Sequence, residues 1–270
     1  MILNAEKYSS VNEEKEITKQ SKSNFLYSFS LLPKEKNEAI NTVYAFCRKT
    51  DDIVDDENES VEKKYSRIIE WRDEFEKALI SGDSKYSLLN NVNVIIKKFS
   101  IPVEPFFDLI KGMEMDLKKN RYNTFTELMD YCFNVASTVG LMSIEIFGYN
   151  NPRTKDFAIN LGIALQLTNI LRDIKTDAQH GRIYIPLEDL RRFNYSENDL
   201  LSFRYNDDFI KLMKHECERA RFFYEEANKS LSNEDKGLMV AARIMEHIYF
   251  RVLKKIGKKN YNVFEKKLKV

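Results

Sequence analysis

Glycine and proline are scarce in this chain, 8 and 5 of 270 residues. With so few chain breakers, and with Lys, Glu, Leu and Ile recurring at helical spacing, the sequence predicts an all-α protein. Cysteine is also rare. Cys47, Cys132 and Cys217 lie far apart and form no CxxC pair, which argues against a disulfide framework and for reduced, buried thiols in a cytoplasmic protein. No charge of one sign dominates: 43 basic and 42 acidic side chains leave a formal net charge of +1. That balance supplies no global field to draw the chain to nucleic acid or to an anionic membrane. Long apolar runs are missing too. The longest, FAINLGIALQLTNIL, is interrupted by Asn160, Gln166 and Asn169 and falls short of the ~20 residues of a membrane span, though it leaves room for peripheral membrane contact. The opening MILNAEKYSSVNEEKEITKQ is charged throughout, unlike a signal peptide. His180, His215 and His247 have no HxxxH or CxxC partner, so they read as surface or packing residues and zinc is a poor fit.

What is present is helix. Amphipathic spacing predicts helices over about residues 5–19, 33–56, 60–80, 87–99, 103–118, 124–147, 151–177, 206–230 and 233–256. Pro33 suits a first turn, Ser60 a cap, Thr124 and Glu127 a capping box, and Gly148 a stop. The segment AQHGRIYIPLEDL is the one clear interruption of the second half. Connections are short and no linker composition is visible, so residues 1–270 are expected to form one multi-helix bundle.

The stretch RKTDDIVDDE, residues 48–57, ends one of these helices with five acids in seven positions. Asp51 and Asp55, four apart, repel by roughly 0.2–0.5 kcal/mol. Acids near a helix C-terminus oppose its dipole by ~0.3–1 kcal/mol each. Stability alone does not select this. The apolar helix further on ends in the same way: Asn169, Asp173 and Asp177 are successive i, i+4 steps on one face, bordered by Gln166. Uncompensated carboxylates on an inward face would cost several kcal/mol or protonate. Divalent cations compensate both sites. A donor set of oxygens alone suits Mg²⁺, with Mn²⁺ as a substitute, and phosphate oxygens can complete its octahedron. Arg48, Arg172, Lys175 and Arg182 stand close in sequence and could neutralise a diphosphate.

At this point the residues resemble a known family, the squalene and phytoene synthases, which join two prenyl diphosphates head to head. The likeness runs from Ser21 to about Phe264 through SKSNFLYSFSLLPKEKNEAINTVYAFCRKTDDIVDDE, YCFNVASTVGLMSIEIFG and LTNILRDIKTDAQHGRIYIPLEDL. GMEMDLKKNRYNTFTELMDYC looks closest to the bacterial branch that makes presqualene diphosphate or squalene. The resemblance implies the all-α isoprenoid synthase fold, with two aspartate motifs facing each other across a central cavity. It implies metal ligation by Asp51, Asp55, Asp173 and Asp177 with Asn169, and Gln166 on the approach. Ser21, Arg48, Lys175 and Arg182 match diphosphate contacts, and Tyr44 and Tyr184 lie in the catalytic cavity. Tyr131, Val135 and Val139 match the prenyl tunnel, and Phe25 and Tyr249 its aromatic walls. Where the family carries an arginine-bearing tail, this chain ends NVFEKKLKV, with Lys266 and Lys267 in place of arginines.

The expected activity is a Mg²⁺-dependent prenyltransferase reaction through a cyclopropylcarbinyl diphosphate, from two farnesyl diphosphates to a C30 product of the presqualene or squalene type. The alternative is phytoene synthesis from two geranylgeranyl diphosphates (C40). A head-to-tail prenyltransferase, a terpene cyclase and a non-catalytic helical assembly factor are the remaining rivals. NADPH is not expected, although family members that use it bind it without a GxGxxG motif. The product belongs to terpenoid metabolism, of the carotenoid or hopanoid kind, with downstream isoprenoid-pathway enzymes as partners and a cytoplasmic, membrane-associated location.

Overall fold

A computed structural model describes residues 28–56 and 58–265 of the chain. The predicted helix over residues 5–19, Ser21, Phe25, Lys266 and Lys267 lie outside the described residues. The first described helix, α1 (Lys34–Asp55), follows Pro33 and buries Ala39, Ile40, Val43, Phe46 and Val54 on one face. Its neighbour α2 (Val61–Ser81) is capped by Ser60, whose hydroxyl accepts from the Lys63 amide, and ends where Gly82 takes a left-handed φ of 69°. Next come α3 (Ser87–Phe99) and α4 (Glu104–Lys118). Phe46, Phe75 and Phe106, one from each of α1, α2 and α4, pack with ring centroids 5.2–5.5 Å apart. The Trp71 indole N–H donates to Thr50 Oγ1 at 3.0 Å and pins α2 to the last turns of α1. Those are the turns that carry Asp51 and Asp55.

The second half is built around α7 (Thr154–Gln179). Before it stand α5 (Phe125–Cys132), a π-helical turn (Phe133–Ser137) and α6 (Thr138–Phe147). The sequence predicts one unbroken helix over 124–147. The structure instead inserts the π turn, whose extra residue changes the facing of the helix partway along. Gly162 of α7 lies against this turn: a Cβ there would come within 2.5 Å of Ser137 Cα and 2.6 Å of its backbone nitrogen. Only glycine permits that approach, and Ser137 Oγ closes it by donating to Ile159 O at 2.8 Å.

Two short helices, α8 (Leu187–Arg192) and α9 (Glu197–Leu201), fill the interruption after α7, followed by α10 (Asp207–Ser230) and α11 (Val240–Lys258). The last helix starts later than the predicted residue 233. Asp235, fully buried, accepts from the amides of Asn150 and Asn151 and from the Thr154 hydroxyl, so its segment is committed to clamping the α6–α7 turn. Among the described residues there is no strand, only an isolated bridge between Arg121 and Ile183. The three cysteines are buried and unpaired, as expected. Among the described residues no helix is long and apolar enough to cross a membrane. Buried side chains of both halves form one hydrophobic cluster.

A second buried polar cluster holds α10 against α8. The Arg219 guanidinium bonds Asp189 at 2.7 Å and both Glu216 oxygens at 2.9 Å, and His215 Nε2 lies 3.5 Å from Asp189. Asp189, His215 and Glu216 could between them hold a metal, but Arg219 already occupies the cation position. Burial pushes the Glu216 carboxyl up to about 8, against an ordinary value of ~4.3. Burial and Arg219 push His215 down. A group raised on folding lends stability that is full below its unfolded pKa and is lost as pH rises through its folded one. The Glu216 contribution is therefore lost between about pH 5 and 8, the depressed His215 acts in the opposite sense, and Glu216→Gln is expected to melt relatively higher than wild type as pH rises across that range. Thermal melts across the range test this; parallel curves for the two proteins would contradict it.

Candidate active site

The acidic end of α1 presents Asp51 and Asp55 on successive turns. Arg48, one turn back, donates to Asp51 at 2.7 Å and reaches Asp52 at 2.7 Å. Burial, with Asp55 close by, pushes the Asp51 carboxyl up to about 7. Asp52 and Asp55 are turned further to solvent.

The end of α7 supplies the facing group. Asn169, Gln166 and Arg172 line a shared cavity with Asp51. Asn169 Oδ1 is buried with no hydrogen-bond partner. The Arg172 guanidinium grips Asp173, with Nε at 3.0 Å from Oδ1, and lies within hydrogen-bonding reach of Tyr249. Asp177 is pushed up to about 7 by burial and by Asp173. At the helix end Gly181 takes a φ of 72°. The reversal returns the Arg182 amide to Asp177 O at 2.9 Å. Its guanidinium then reaches to 3.9 Å from Asp55 of the opposite motif and is felt by Asp177 as a compensating charge. Arg182 thus stands between the two acidic helix ends.

One acid at this junction is absent from the sequence expectations. Asp116, in the last turn of α4, lines the cavity and lies in the fields of Asp51, Asp55 and Asp177. Its Oδ2 accepts from the Tyr131 hydroxyl and its Oδ1 from the Tyr184 hydroxyl, both at 2.8 Å. Bonds from Ile183 N to Asn120 O (3.0 Å) and from Leu187 N to Tyr122 O (2.8 Å) lay the Tyr184 segment along the end of α4. A signal was present: Leu109, Met113 and Asp116 share one stripe of α4, and the first two are buried, so the acid continues a core-facing row.

Below these charges the cavity runs inward with a volume of about 550 Å³. Tyr131, Val135 and Val139 line it as expected, and so do Tyr44 and Tyr249. Phe29 adds an aromatic wall, and Gly140, Ala158 and Gly162 also line the interior. Of the predicted residues among those described, Tyr184 stands outside the cavity lining, on Asp116, and Lys175 is turned elsewhere. It is two positions on from Asp173 and so leaves α7 on another side. Its Nζ donates to Phe264 O at 2.5 Å and lies over the Phe203 ring, anchoring the chain's end instead of facing the cavity.

The donor set fits a hard divalent cation. Asp51, Asp55, Asn169, Asp173 and Asp177 offer oxygen only, two of the carboxyls are raised by burial without a full counter-charge, and Asn169 Oδ1 is an acceptor with nothing to accept. Arg48, Arg172 and Arg182 stand beside these acids, next to the largely apolar cavity.

Known proteins are similar to this chain over most of its length. Residues 18–270 match the family described as squalene/phytoene synthase. A phytoene synthase from Arthrospira platensis is 37% identical over 270 residues, which cover 94% of this chain and 85% of that one. Among solved structures, squalene synthase HpnC from Alicyclobacillus acidocaldarius superposes with a TM-score of 0.86 at 25% identity, covering 94% of this chain and 95% of that one. A dehydrosqualene synthase in complex with ligand gives 0.83 at 30% identity, over 98% and 92% of the two chains.

Proposed function

Because the chain belongs to the squalene/phytoene synthase family, whose members are prenyltransferases that use a divalent metal, we propose that it joins two geranylgeranyl diphosphates head to head into a C40 product of the phytoene type. The observation that carries the reaction class is the meeting of two D-x-x-x-D helix ends around Arg182, at the mouth of an apolar cavity. The chain length rests on the 37% identical phytoene synthase. It supports the C40 alternative over the C30 product that the sequence alone favours. The C30 reading keeps the support of the 30% identical dehydrosqualene synthase.

Asp51 and Asp55 on one side, and Asn169, Asp173 and Asp177 on the other, would hold Mg²⁺. Bound there, the metal supplies charge stabilisation for the departing diphosphate. Arg48, Arg172 and Arg182 would take up the remaining negative charge of the leaving group. Departure leaves an allylic cation; the double bond of the second chain attacks it, and loss of a proton closes a cyclopropane. A second ionisation and rearrangement, followed by loss of a second proton, give the linear hydrocarbon. The cavity walls keep water from these cations, and the faces of Tyr44, Tyr131 and Tyr249 attract them, by ~2 kcal/mol or more where desolvated. No covalent nucleophile is required. The phytoene route needs no hydride donor, so NADPH is not required, and Mn²⁺ is a candidate substitute for Mg²⁺. The whole of residues 1–270 would act as one unit.

Incubation with C15 and C20 diphosphates separately, with Mg²⁺, with and without NADPH, followed by mass spectrometry, tests this. A C40 hydrocarbon from the C20 substrate without NADPH is expected. A C30 product from C15 alone would restore the shorter-chain reading, and a product requiring isopentenyl diphosphate, or built from one substrate molecule, would overturn the head-to-head reaction.

A further inference from the structure

Asp116 is not among the aspartates expected to hold metal, yet it lies deeper at the junction of the two motifs than Asp52 or Asp56. Both of its carboxylate oxygens are engaged. Each oxygen accepts one phenolic proton, from Tyr184 and from Tyr131, at equal distances of 2.8 Å. The two rings so held are stacked, with centroids 5.3 Å apart and planes 27° from parallel. Behind them Tyr122 packs against both, 5.4 Å from Tyr131 and 5.8 Å from Tyr184. It is fully buried, and its hydroxyl finds no partner. Three tyrosine rings thus form a dry block, and one carboxylate orients two of them.

Two consequences follow. A phenol that donates to a carboxylate is charge-assisted and geometrically pinned, so its ring cannot swing its oxygen toward the cavity. Partial transfer of charge onto such a phenol also makes the ring face more negative, and a cation is attracted by that face. A free phenol oxygen beside a carbocation would be a nucleophile; one engaged with Asp116 is held away.

We propose that Asp116 is a positioning residue for the prenyl condensation, which orients Tyr131 and Tyr184 through their hydroxyls so that the cavity-lining Tyr131 ring, backed by Tyr184, shields the cationic intermediates and guides their rearrangement. The inference rests on the head-to-head reading above. It assigns Asp116 a role through the two tyrosines that donate to it and not as a ligand of metal or substrate.

The test compares the wild type with Asp116→Asn, the double variant Tyr131→Phe/Tyr184→Phe, and the triple combination. The readouts are kcat, KM, the Mg²⁺ concentration for half-maximal rate, and the partition of product among linear hydrocarbon, released cyclopropylcarbinyl diphosphate and water-captured alcohols. Asn keeps one acceptor and loses the charge. Asp116→Asn is expected to lower kcat about tenfold or more, to leave KM and the Mg²⁺ requirement within about twofold, and to divert product toward alcohols and released intermediate. In the Phe/Phe background the same change is expected to add nothing further. An unchanged partition in Asp116→Asn, an additive loss in the triple variant, or a raised Mg²⁺ requirement with partition intact would each overturn the role. Should Asp116→Asn not fold, the Phe/Phe variant, which keeps the packing, must itself shift the partition; a wild-type partition overturns the inference. A wild type that turns over normally separates this failure from failure of the functional reading, in which no head-to-head product forms at all.

Discussion

Asp51→Ala and Asp173→Ala are each expected to abolish product formation, by on the order of 10³-fold or more in kcat, with helical circular dichroism unchanged. The reason is geometric as well as chemical. Asp55 is turned further to solvent than Asp51, and Asp177, on the same face as Asp173, lacks the Arg172 clamp that holds Asp173. Asp51 is the buried member of its pair, and Arg172 fixes Asp173 beside the cavity. The same burial makes a second, independent expectation. The folded Asp51 carboxyl titrates near 7, above its unfolded value of ~3.9. Its contribution to stability is therefore full at acid pH and lost as pH rises through about 7. Without metal the ionised form strains the fold at pH 8, so Asp51→Ala is expected to melt no lower than wild type there while being inactive. Chelation by EDTA should reproduce the loss of activity in the wild type. Full activity in either variant, or in EDTA, would remove the metal-diphosphate mechanism.

Asn169→Leu carries the second large expectation, and its two effects have opposite signs. Asn169 Oδ1 is buried and accepts no hydrogen bond, a state that costs about 1–3 kcal/mol when no partner arrives. A leucine removes that penalty in a helix that already buries Leu167, Ile170 and Leu171. The variant is expected to match or exceed the wild type in metal-free thermal stability. As an expected metal ligand, Asn169 should also be needed for turnover, so activity should fall about 10²-fold or more, with a raised Mg²⁺ requirement. Lower stability with normal activity would mean that the amide serves the packing and not the metal. Measuring both properties in one preparation separates these outcomes.

Both acidic motifs were legible because their spacing contradicts what a helix end alone would favour. Asp51 with Asp55, and Asn169 with Asp173 and Asp177, are face-sharing acids on otherwise core-forming helices, and elementary electrostatics marks them as needing a partner. The order of the helices was legible for the same kind of reason, since apolar periodicity and caps such as Ser60 are local. The break at Phe133–Ser137 was not, because a π turn leaves the apolar composition intact and is stabilised by the approach of Gly162 from a distant helix. The late start of α11 depends on Asp235 bonding to a turn 84–85 residues earlier.

Lys175 shows where motif-based transfer of roles reaches its limit. Proximity to Asp173 in sequence suggests a diphosphate contact, but two helical positions turn the side chain away, toward Phe264. Asp116 is the converse. Its spacing from Leu109 and Met113 places it on an inward face, yet nothing local says that Tyr131 and Tyr184 will meet it.

The sequence by itself determined that the chain is helical, that two helix ends crowd carboxylates onto one face, and which residues form those pairs, because helix periodicity and charge repulsion act over a few residues. Only the tertiary structure decided which pairs face each other, that Arg182 stands between them, that Lys175 leaves the site and that Asp116 joins two tyrosines beside it. Those facts depend on contacts between segments far apart in the chain, set by how the helices cross and where a turn such as Gly181 redirects the backbone.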